Sequence, residues 1–502
     1  MPFNPAPKTL AELLPAVETA RLLQGSPATC VRGISHDTRR LQAGEAFVAI
    51  PGFEHDALTF VPRALVSGAS VIVAEVPPAV PPEVPVVLVA SARRALGDLA
   101  SAFYDHPSRR LPVVGVTGTD GKTSSIHLLS AILETRGLRT GWLTTVNTKI
   151  GDDLRPNAAE HTTPEAPLVQ RTLAEMLSAG VQVSLLETSS HALELERVRG
   201  TSYRVGVFTN LSPEHLNFHG SFEAYREAKS RLFACLPPDG LAVLNTDDAN
   251  TDFMRSVARA RVLTYGLDQP ADVTATEVTL GPEGTSFVVD GVQIHTQLVG
   301  RFNVSNWLAA FAAATFFGAT PDNLRRAAAS QPPVPGRMNL VQSGQPFAVV
   351  VDFAHTPQAL SKALETLRGL TSDRLLLVFG LAGGRDFHNR PVMGELAAHK
   401  SDFFVISMDD PGVEDPRTIA EQIASGAQAA GATRGERFAI DLDRRSAIRT
   451  VLERARRGDV VLLAGKGHEN RMVVGGERLP WNDARVAAEE LGRLGWQIQP
   501  VP

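Results

Sequence analysis

The segment Gly118-Thr-Asp-Gly121-Lys122-Thr123 has the residue types that bind the phosphates of a nucleotide. Its glycines have no Cβ atom, so the backbone amides can approach an anion closely. Lys122 supplies a positive charge for phosphate oxygens, and Thr123 supplies a hydroxyl ligand for Mg²⁺. The spacing departs from the common nucleotide-loop pattern, because Val116 stands where that pattern has its first glycine. A glycine turn without a ligand is the alternative interpretation.

The residues around this segment favour the nucleotide loop over a chance turn. Val113, Val114 and Val116 predict a buried strand before it, and the pattern Ile126, Leu129 predicts a helix after it. A strand, a glycine turn and a helix in this order place the helix N-terminus against the bound anion.

Two later strands end in polar residues that could bind a metal ion. The apolar run from Val183 ends at Glu187, and the run ending at Phe208 is followed by Glu214 and His215. The carboxyl ends of parallel strands share one edge of a sheet, so Glu187 and His215 are candidate ligands of a nucleotide-bound Mg²⁺. A surface glutamate and a hydrogen-bonded histidine are the alternative interpretation.

Lys229 lies on the apolar face of a predicted helix. In the segment from Ser221 to Cys235, Tyr225 and Leu232 fall on one face, and Lys229 falls on the same face. We expect a half-buried lysine there. Such a lysine either extends its ammonium to solvent or has a lowered pKa and takes part in the reaction.

Composition limits the classes of protein to consider. The 502 residues are 43% apolar and 21% charged, with a net charge of −5, which predicts a soluble protein of about three domains. The negative balance argues against nucleic acid as a partner. Cys30 and Cys235 are the two cysteines, so a disulfide framework is not expected. No signal peptide or membrane span is predicted, and we expect a cytoplasmic monomer.

The order of apolar runs predicts an α/β protein of three domains. Residues 1–108 form a small α/β domain, with a helical pattern near 10–22 and a polar turn at His36-Asp37-Thr38-Arg39 that is either a ligand site or a solvated turn. Residues 109–335 predict a doubly wound, mostly parallel sheet with an added β-rich piece at 273–299. Residues 336–502 predict a second, Rossmann-like α/β sheet.

Taken together, the motifs resemble those of the Mur ligases, in family order and across all three predicted domains. They are GTDGKTSS, HTTPE, LETSSHAL, FTNLSPEHLNFHG, EAYREAKSRLF, GRFNVSNWLAA, PGRM, VDFAHTPQAL, GGRD, DDPGVEDP and AGKGHE. The resemblance implies an ATP-dependent ligase that adds the third residue of the peptidoglycan stem peptide. ATP would phosphorylate the D-glutamate carboxylate of UDP-N-acetylmuramoyl-L-alanyl-D-glutamate, and the amine of a free amino acid would then displace phosphate. Mg²⁺ and fixed cations would reduce the repulsion between the two anions.

The resemblance also implies roles for individual residues in ATP and Mg²⁺ binding. The loop Gly118, Thr119, Asp120, Gly121, Lys122, Thr123 and Ser124 would bind the ATP phosphates, and Thr123, Glu187 and His215 would bind Mg²⁺. Lys229 matches a lysine that CO₂ converts to a carbamate, which would ligate a second Mg²⁺. Further contacts to ATP would come from Asn303, Asn306, Arg337, Asp352 and His355, with Lys122, Glu187, His215, Lys229, Arg337 and Asp352 as the catalytic set.

For the uridine-linked substrate, the resemblance implies contacts from Thr38, Thr162, Thr163, Ser189 and Arg197. Thr38 stands where the family usually has serine. For the incoming amino acid, it implies contacts from Arg385, Asp409, Asp410, Pro411, Gly412, Gly465 and Glu469.

The amino-acid motif is where this chain departs from the resemblance. Members that add diaminopimelate have Asp-Asn-Pro-Arg, and the arginine pairs with the distal carboxylate; this chain has Asp409-Asp410-Pro411-Gly412. Without the guanidinium, a distal carboxylate loses a charge-assisted bond of roughly 1.5–3 kcal/mol, whereas two aspartates favour an ammonium. We therefore predict L-ornithine or L-lysine rather than meso-diaminopimelate.

Other functions remain open at this point. One is the meso-diaminopimelate-adding reaction itself. Another is a ligase like folylpolyglutamate synthase, although the Asp-Pro and AGKGHE motifs argue against it. A nucleotide-regulated binding protein without catalysis would need neither His215 nor Lys229.

Overall fold

The structure is a computed structural model that describes residues 5–52, 57–157, 161–281, 284–332 and 334–496. It divides into two compact units. The first comprises the described residues of 1–211, 223–272 and 309–319, and the second those of 212–222, 273–308 and 320–502. Each of the three predicted domains has an α/β sheet of its own, as expected. The boundaries at 108 and 335 stay a prediction.

The N-terminal region is a small α/β layer. Its strands and helices are β1 (Lys8–Thr9), α1 (Leu10–Leu13), β2 (Arg21–Gln24), β3 (Cys30–Val31), β4 (Ile34–Ser35), β5 (Ala46–Val48), α2 (Val61–Val66), β6 (Val71–Ala74), β7 (Val86–Leu88) and α3 (Ala92–Phe103). The sheet order is β2-β7-β6-β5-β4, and β4 to β7 are parallel. The helix predicted near 10–22 was too long. It ends at Leu13, followed by a 3₁₀ turn that contains Pro15, which cannot donate a helical hydrogen bond.

The central sheet is mostly parallel, as predicted. Its region contains β8 (Val113–Thr117), α4 (Lys122–Thr135), β9 (Thr140–Leu143), β10 (Asn147–Ile150), β11 (Asp153–Pro156), α5 (Ala166–Ser178), β12 (Val183–Glu187), α6 (Ser190–Glu194), β13 (Tyr203–Phe208), α7 (Leu216–His219), α8 (Phe222–Ala234), β14 (Leu241–Asn245), α9 (Thr251–Val257), β15 (Arg261–Gly266) and β16 (Val273–Thr274). Strands β9, β12, β8, β13, β14 and β15 are parallel neighbours in that order.

The register of this sheet brings three strand ends together. Glu187 of β12 is opposite Val116 of β8, and Phe208 of β13 is opposite Thr117. The residues that follow these strands therefore start from one edge of the sheet, where ligands of such folds bind.

An antiparallel piece follows, which confirms the β-rich insertion predicted at 273–299. It consists of β17 (Thr276–Gly281), β18 (Gly284–Val289) and β19 (Val292–Thr296), and the chain continues with α10 (Arg301–Thr315) and α11 (Pro321–Ser330).

The C-terminal region contains a second α/β sheet. Its elements are β20 (Asn339–Leu340), β21 (Ala348–Asp352), α12 (Pro357–Arg368), β22 (Leu375–Phe379), α13 (Asn389–Lys400), β23 (Phe403–Ile406), α14 (Pro416–Ala429), β24 (Phe438–Ile440), α15 (Arg444–Arg454), β25 (Val460–Ala464), β26 (Arg471–Val474), β27 (Glu477–Pro480) and α16 (Asp483–Arg493). The sheet order is β20-β21-β25-β22-β23-β24, and apolar cores cover both faces.

Over the described residues, no helix has the length and apolarity required to cross a membrane.

Candidate active site

The nucleotide loop lies in the first unit, between β8 and α4. The residues after β13 fix its backbone. The amides of Thr119 and Asp120 donate to the main-chain and side-chain oxygens of Asn210 at 2.9 and 3.0 Å. The Thr209 hydroxyl donates to the carbonyl oxygen of Asp120 at 2.6 Å. The sequence analysis did not select Thr209 or Asn210, although both follow a predicted strand.

Gly118 shows why the loop needs glycine. Its φ is +150°, and a Cβ atom added there would lie 1.9 Å from the Thr209 hydroxyl oxygen. Any other residue would therefore displace Thr209 from the loop.

Both predicted lysines of this site contact the same backbone oxygen. Lys122 Nζ donates to the carbonyl oxygens of Gly118 and Thr119 at 3.0 and 2.7 Å. Lys229 Nζ donates to the Gly118 carbonyl at 2.7 Å. Two lysine side chains therefore lie against the backbone of the loop.

Lys229 is more deeply buried than the sequence indicated. Its exposed fraction is 2%, and its ammonium lies 4.5 Å from the centroid of the Tyr225 ring. The Tyr225 hydroxyl is 3.1 Å from the Thr119 hydroxyl. Tyr225 therefore connects the helix that carries Lys229 to the nucleotide loop.

Glu187 lies at the end of β12 with hydroxyl groups around its carboxylate. The Thr123 hydroxyl donates to Glu187 Oε1 at 2.6 Å, and the Thr145 hydroxyl donates to Oε2 at 2.8 Å. The structure thus brings together two of the residues predicted for Mg²⁺, Thr123 and Glu187. A carboxylate beside hydroxyl oxygens is the donor set that Mg²⁺ prefers, so these residues fit the ion. Thr145, which follows β9, was missed.

Residues predicted for the uridine-linked substrate cluster in the same unit. The Thr163 hydroxyl donates to the Glu187 carbonyl at 2.7 Å and accepts the Ser189 amide at 3.1 Å. Arg197 donates to the Thr163 carbonyl at 3.3 Å and pairs with Glu165 at 2.8 Å. Thr162 adjoins Thr163 in the chain.

The turn that carries Thr38 faces this cluster. Burial lowers the pKa of His36, and Glu165 and Arg197 are among its charged neighbours. Within the turn, Arg39 forms a bidentate pair with Asp37 and lowers the pKa of that carboxyl group to about 2. The turn is therefore a fixed structure, and Thr38 is buried in it.

Arg337, Asp352 and His355 lie together in the second unit. The Asp352 carboxylate accepts the amides of Met338 and Ala354 at 2.7 and 2.9 Å, so it fixes the backbone next to Arg337. The Arg337 guanidinium lies 4.7 Å from the Phe353 ring centroid. His355 Nδ1 is 2.8 Å from the Phe353 carbonyl oxygen.

His215, Asn303 and Asn306 also belong to the second unit. The Glu214 carboxylate is 3.6 Å from His215 Nε2 and 3.9 Å from His355 Nε2. Asn303 donates to the Val299 carbonyl at 2.8 Å and accepts from Asn306 at 3.3 Å.

A cleft in the second unit gathers the residues predicted for the amino acid. It is open to solvent and offers about 440 Å³ of empty space, and Arg385, Asp409, Asp410, Gly465 and Glu469 line it. One carboxylate oxygen from each of Asp409, Asp410 and Glu469 lies within 4.8 Å of the others. We call Asp409, Asp410 and Glu469 with Lys466 the acidic cluster.

Lys466 is the cation of this cluster, and the sequence analysis did not assign it a role. Its fully buried ammonium is 2.5 Å from Glu469, 2.8 Å from Asp410 and 3.7 Å from Asp409. Burial alone lowers the pKa of Lys466, but these carboxylates outweigh burial and raise it above its ordinary value. Burial raises the pKa of Glu469, which Lys466 opposes. Three carboxyl groups thus share one ammonium.

A buried ion pair underlies the acidic cluster. Arg444 and Asp483 are both fully buried and pair at 2.7 Å. Arg444 also donates to the carbonyl oxygens of Met408 and Ala464 at 3.2 and 2.8 Å. These residues directly precede Asp409 and Gly465, so one guanidinium fixes both loops of the cleft. No sequence pattern predicted that positions 444 and 483 meet.

The loop that contains Asp410 and Gly412 is bound to Val473. Gly412 has φ +62°, and a Cβ atom there would have no neighbour within 4 Å. Its amide donates to the Val473 carbonyl at 3.0 Å, and the Val473 amide donates to Asp410 Oδ1 at 2.9 Å. Val473 belongs to the β26–β27 hairpin, which was missed although Gly475-Gly476 between two strands is a hairpin signal.

Comparisons with known proteins identify the family. The model described as the Mur ligase middle domain matches residues 116–314, and the one described as the Mur ligase glutamate ligase domain matches residues 336–467. A UDP-N-acetylmuramyl-tripeptide synthetase from Roseiflexus sp. (strain RS-1) is 41% identical over 93% of this chain and 95% of that protein. The chain belongs to the Mur ligase family.

Two further relatives of this Mur ligase have a name that specifies the amino acid. A UDP-N-acetylmuramoyl-L-alanyl-D-glutamate--2,6-diaminopimelate ligase from Geobacillus kaustophilus (strain HTA426) is 40% identical, over 91% of this chain and 94% of that one. A solved structure described by the same enzyme name has 31% identity and a TM-score of 0.68, and covers 98% of this chain and 100% of its own.

As a Mur ligase, the chain is an ATP-dependent ligase of peptidoglycan biosynthesis that forms an amide bond. The predicted family, α/β fold class and enzyme class are confirmed. The roles of individual site residues stay predictions.

Proposed function

We propose that this Mur ligase joins L-ornithine or L-lysine to the D-glutamate carboxylate of UDP-N-acetylmuramoyl-L-alanyl-D-glutamate. The observation that carries the proposal is the acidic cluster. Three carboxyl groups around one buried ammonium favour a further cation in the cleft. At Gly412, where diaminopimelate-adding members have arginine, no guanidinium is available for a distal carboxylate.

The orientation of the amino acid follows from the charges that line the cleft. Arg385 offers a guanidinium to the α-carboxylate, and its own side chain is 55% exposed with an acidic neighbour 4.0 Å away, Asp386. The distal ammonium then lies toward Asp409 and Asp410. In this orientation both ends of a diamino acid have an opposite charge.

Activation of the carboxylate is the task of the nucleotide loop. The amides from Gly118 to Ser124 and the Lys122 ammonium bind the ATP phosphates, with Asn303, Asn306, Arg337, Asp352 and His355 as further contacts. Transfer of the γ-phosphoryl group gives an acyl phosphate, and the amine of the amino acid displaces phosphate. Arg337 neutralises charge during this transfer, which requires the enzyme to close on its substrates.

Thr123, Glu187 and His215 are the residues we assign to Mg²⁺. A Mg²⁺ held there would reduce the repulsion between the phosphates and the attacking carboxylate. We further propose that Lys229 is carbamylated: its neutral amine adds to CO₂ and loses a proton, and a cation becomes a carboxylate. Lys229 lies beside the loop and its side chain is only 2% exposed. This burial supports a chemical role, because a lysine that only solvates the surface would extend its ammonium to water.

Thr38, Thr162, Thr163, Ser189 and Arg197 are the residues we assign to the uridine-linked dipeptide. The contacts of Thr163, Ser189 and Arg197 with one another and with Glu187 and Glu165 support this assignment. In the three-domain proposal, residues 1–108 bind this substrate, 109–335 bind ATP, and 336–502 bind the amino acid.

The second candidate is the meso-diaminopimelate-adding reaction. The names of the Geobacillus relative and the solved structure favour it. A ligase like folylpolyglutamate synthase has weaker support, because relatives at 40% identity over most of the chain are named for muramoyl peptides.

Amino-acid-dependent phosphate release tests the proposal. The purified protein is given ATP, Mg²⁺ and the uridine-linked dipeptide, with L-ornithine, L-lysine or meso-diaminopimelate. We expect a higher kcat/KM for one of the two diamines. A higher kcat/KM for meso-diaminopimelate contradicts the proposal. If none of the three amino acids supports phosphate release, the assignment of the uridine-linked dipeptide and a diamino acid as substrates is wrong.

Carbamylation has its own measurement. ¹³C-labelled bicarbonate should give a carbamate carbon signal in the wild-type protein and no such signal in Lys229→Met. Methionine has a similar length and is suited to a buried site, so the variant should remain folded.

A further inference from the structure

Glu414 connects two helices to a loop of the amino-acid cleft. Its carboxylate accepts both terminal nitrogens of Arg390, at 2.6 and 2.9 Å, and also the Gly384 amide at 2.8 Å. Arg390 is fully buried and donates in addition to Gln422 Oε1 at 2.7 Å. The pair thus joins α13, which carries Arg390, to α14, which carries Gln422, and to the loop that contains Gly384.

The loop that contains Gly384 also carries Arg385. Its backbone is bound to the Asp409–Gly412 loop at a second point, because the Gly383 amide donates to the Asp410 carbonyl at 2.9 Å. Arg385 itself has a weak ion pair with Asp386 at 4.0 Å. The position of Arg385 is therefore set by backbone contacts of Gly383 and Gly384, and one of these two contacts is to Glu414.

We propose that Glu414 is a positioning residue that fixes the separation between Arg385 and the acidic cluster, and so sets the length of the amino acid that the enzyme accepts. The proposal rests on the proposed function, in which Arg385 and the acidic cluster bind opposite ends of a diamino acid. Glu414 does not line the cleft and acts through the Arg385 loop.

The physical reason is that a length can be measured only between two fixed points. One methylene more or less changes the kcat/KM of an enzyme by roughly 10- to 200-fold when the site is rigid. If the Arg385 loop moves, the loop adjusts to longer and shorter amino acids, and this discrimination decreases. Binding of every amino acid weakens at the same time.

Glu414→Gln tests this directly. The glutamine amide has one acceptor oxygen. Its NH₂ group replaces either Oε1, which accepts one terminal nitrogen of Arg390, or Oε2, which accepts the other terminal nitrogen and the Gly384 amide, so at least one contact is lost. The matched control is Glu421→Gln, which removes an exposed carboxylate of α14 that pairs with Arg434 at 3.1 Å and does not line the cleft. Wild type and both variants are assayed for kcat and KM with L-2,4-diaminobutyrate, L-ornithine and L-lysine, and for the KM of ATP.

We expect the ratio of kcat/KM between the best and the next-best amino acid to fall at least fivefold in Glu414→Gln, mainly through KM, with the KM of ATP unchanged. Glu421→Gln should keep the wild-type ratio. If all three amino acids lose the same factor, or if the ratio is the same in both variants, the inference is wrong. If Glu414→Gln does not fold, as judged by circular dichroism, Glu414→Asp keeps the charge but is too short for all three contacts, and it must show the same fall in ratio.

The wild-type assay separates this inference from the proposed function. If the wild type uses none of the three diamines, the proposed function fails. If it distinguishes them and Glu414→Gln distinguishes them equally well, only the role of Glu414 fails.

Discussion

The nucleotide loop and the amino-acid cleft are stabilised in different ways. The loop is a backbone structure whose partners, Thr209 and Asn210, follow the neighbouring parallel strand. The cleft is an arrangement of charged side chains on three separate loops. These loops depend on Arg444, Asp483, Arg390 and Glu414, which lie outside the motifs that bind substrate or at their margins.

The two regions differ in how readily a substitution can change the amino-acid specificity. The loop that we assign to phosphate tolerates little variation, because each of its contacts involves the main chain. In our proposal the cleft selects its amino acid through a few charges, so an exchange such as arginine for Gly412 should change the ligand without changing the fold.

Removal of Arg444 should affect the cleft most. Arg444→Met leaves Asp483 buried without its cation, so we expect the free energy of unfolding to fall by about 3–5 kcal/mol. Urea unfolding measures this. Arg434→Met, which breaks an exposed pair with Glu421, should cost about 1 kcal/mol or less. A similar loss of unfolding free energy in both variants would show that the buried pair stabilises the fold no more than the exposed pair does.

Loss of Lys122 should abolish use of ATP and leave the cleft intact. Removing one preorganised charge from a transferring phosphoryl group typically lowers kcat by about 10²- to 10³-fold. We expect that loss for Lys122→Ala in phosphate release, with an unchanged unfolding midpoint. The control is Lys362→Ala, an exposed lysine on α12. Activity within tenfold of wild type would contradict the role of the loop.

An exchange at the cleft loop should change the amino acid. Asp410→Asn combined with Gly412→Arg restores the Asp-Asn-Pro-Arg motif, and the new bidentate bond should raise the kcat/KM ratio of meso-diaminopimelate over L-lysine by about 10- to 100-fold. Gly412→Ala is the matched control, because it introduces a Cβ atom at the same φ of +62° without the guanidinium. An equal ratio in the two variants would mean that position 412 does not select the ligand.

Acid should reveal the contribution of Glu414, which is the smallest effect. The hydrogen bonds from Arg390 lower the pKa of Glu414 to about 2 from 4.5. Because the folded-state pKa is depressed, this stabilisation is complete above pH 4.5 and is lost as the pH falls toward 2. The difference in unfolding free energy between wild type and Glu414→Gln should therefore be constant at pH 5–7 and shrink below pH 4.5. A difference that grows on acidification would contradict this account.

The contrast also explains how much could be predicted from the sequence. Gly118, Lys122 and Thr123 are consecutive parts of one motif, and Glu187 ends an apolar strand, so their meeting follows from parallel topology. Lys229 was identified by its place on an apolar helix face. The sequence predicted a half-buried side chain there, not a fully buried one. Lys466 was inside a recognised motif, yet its contacts with Asp410 and Glu469 depend on loops, whose conformation has no periodic signal. Arg444 and Asp483 are 39 positions apart on different helices, and no local pattern connects them.

The Arg444–Asp483 pair has a consequence for synthesis of the protein on the ribosome. Chains fold from the N-terminus as they emerge, and the nucleotide loop is complete once residues 113–229 are available. The cleft is completed only when residue 483 has been translated, because Asp483 pairs with the Arg444 guanidinium that binds the carbonyl oxygens of Met408 and Ala464. A nascent chain therefore completes the loop that we assign to the ATP phosphates well before it completes the cleft that we assign to the amino acid.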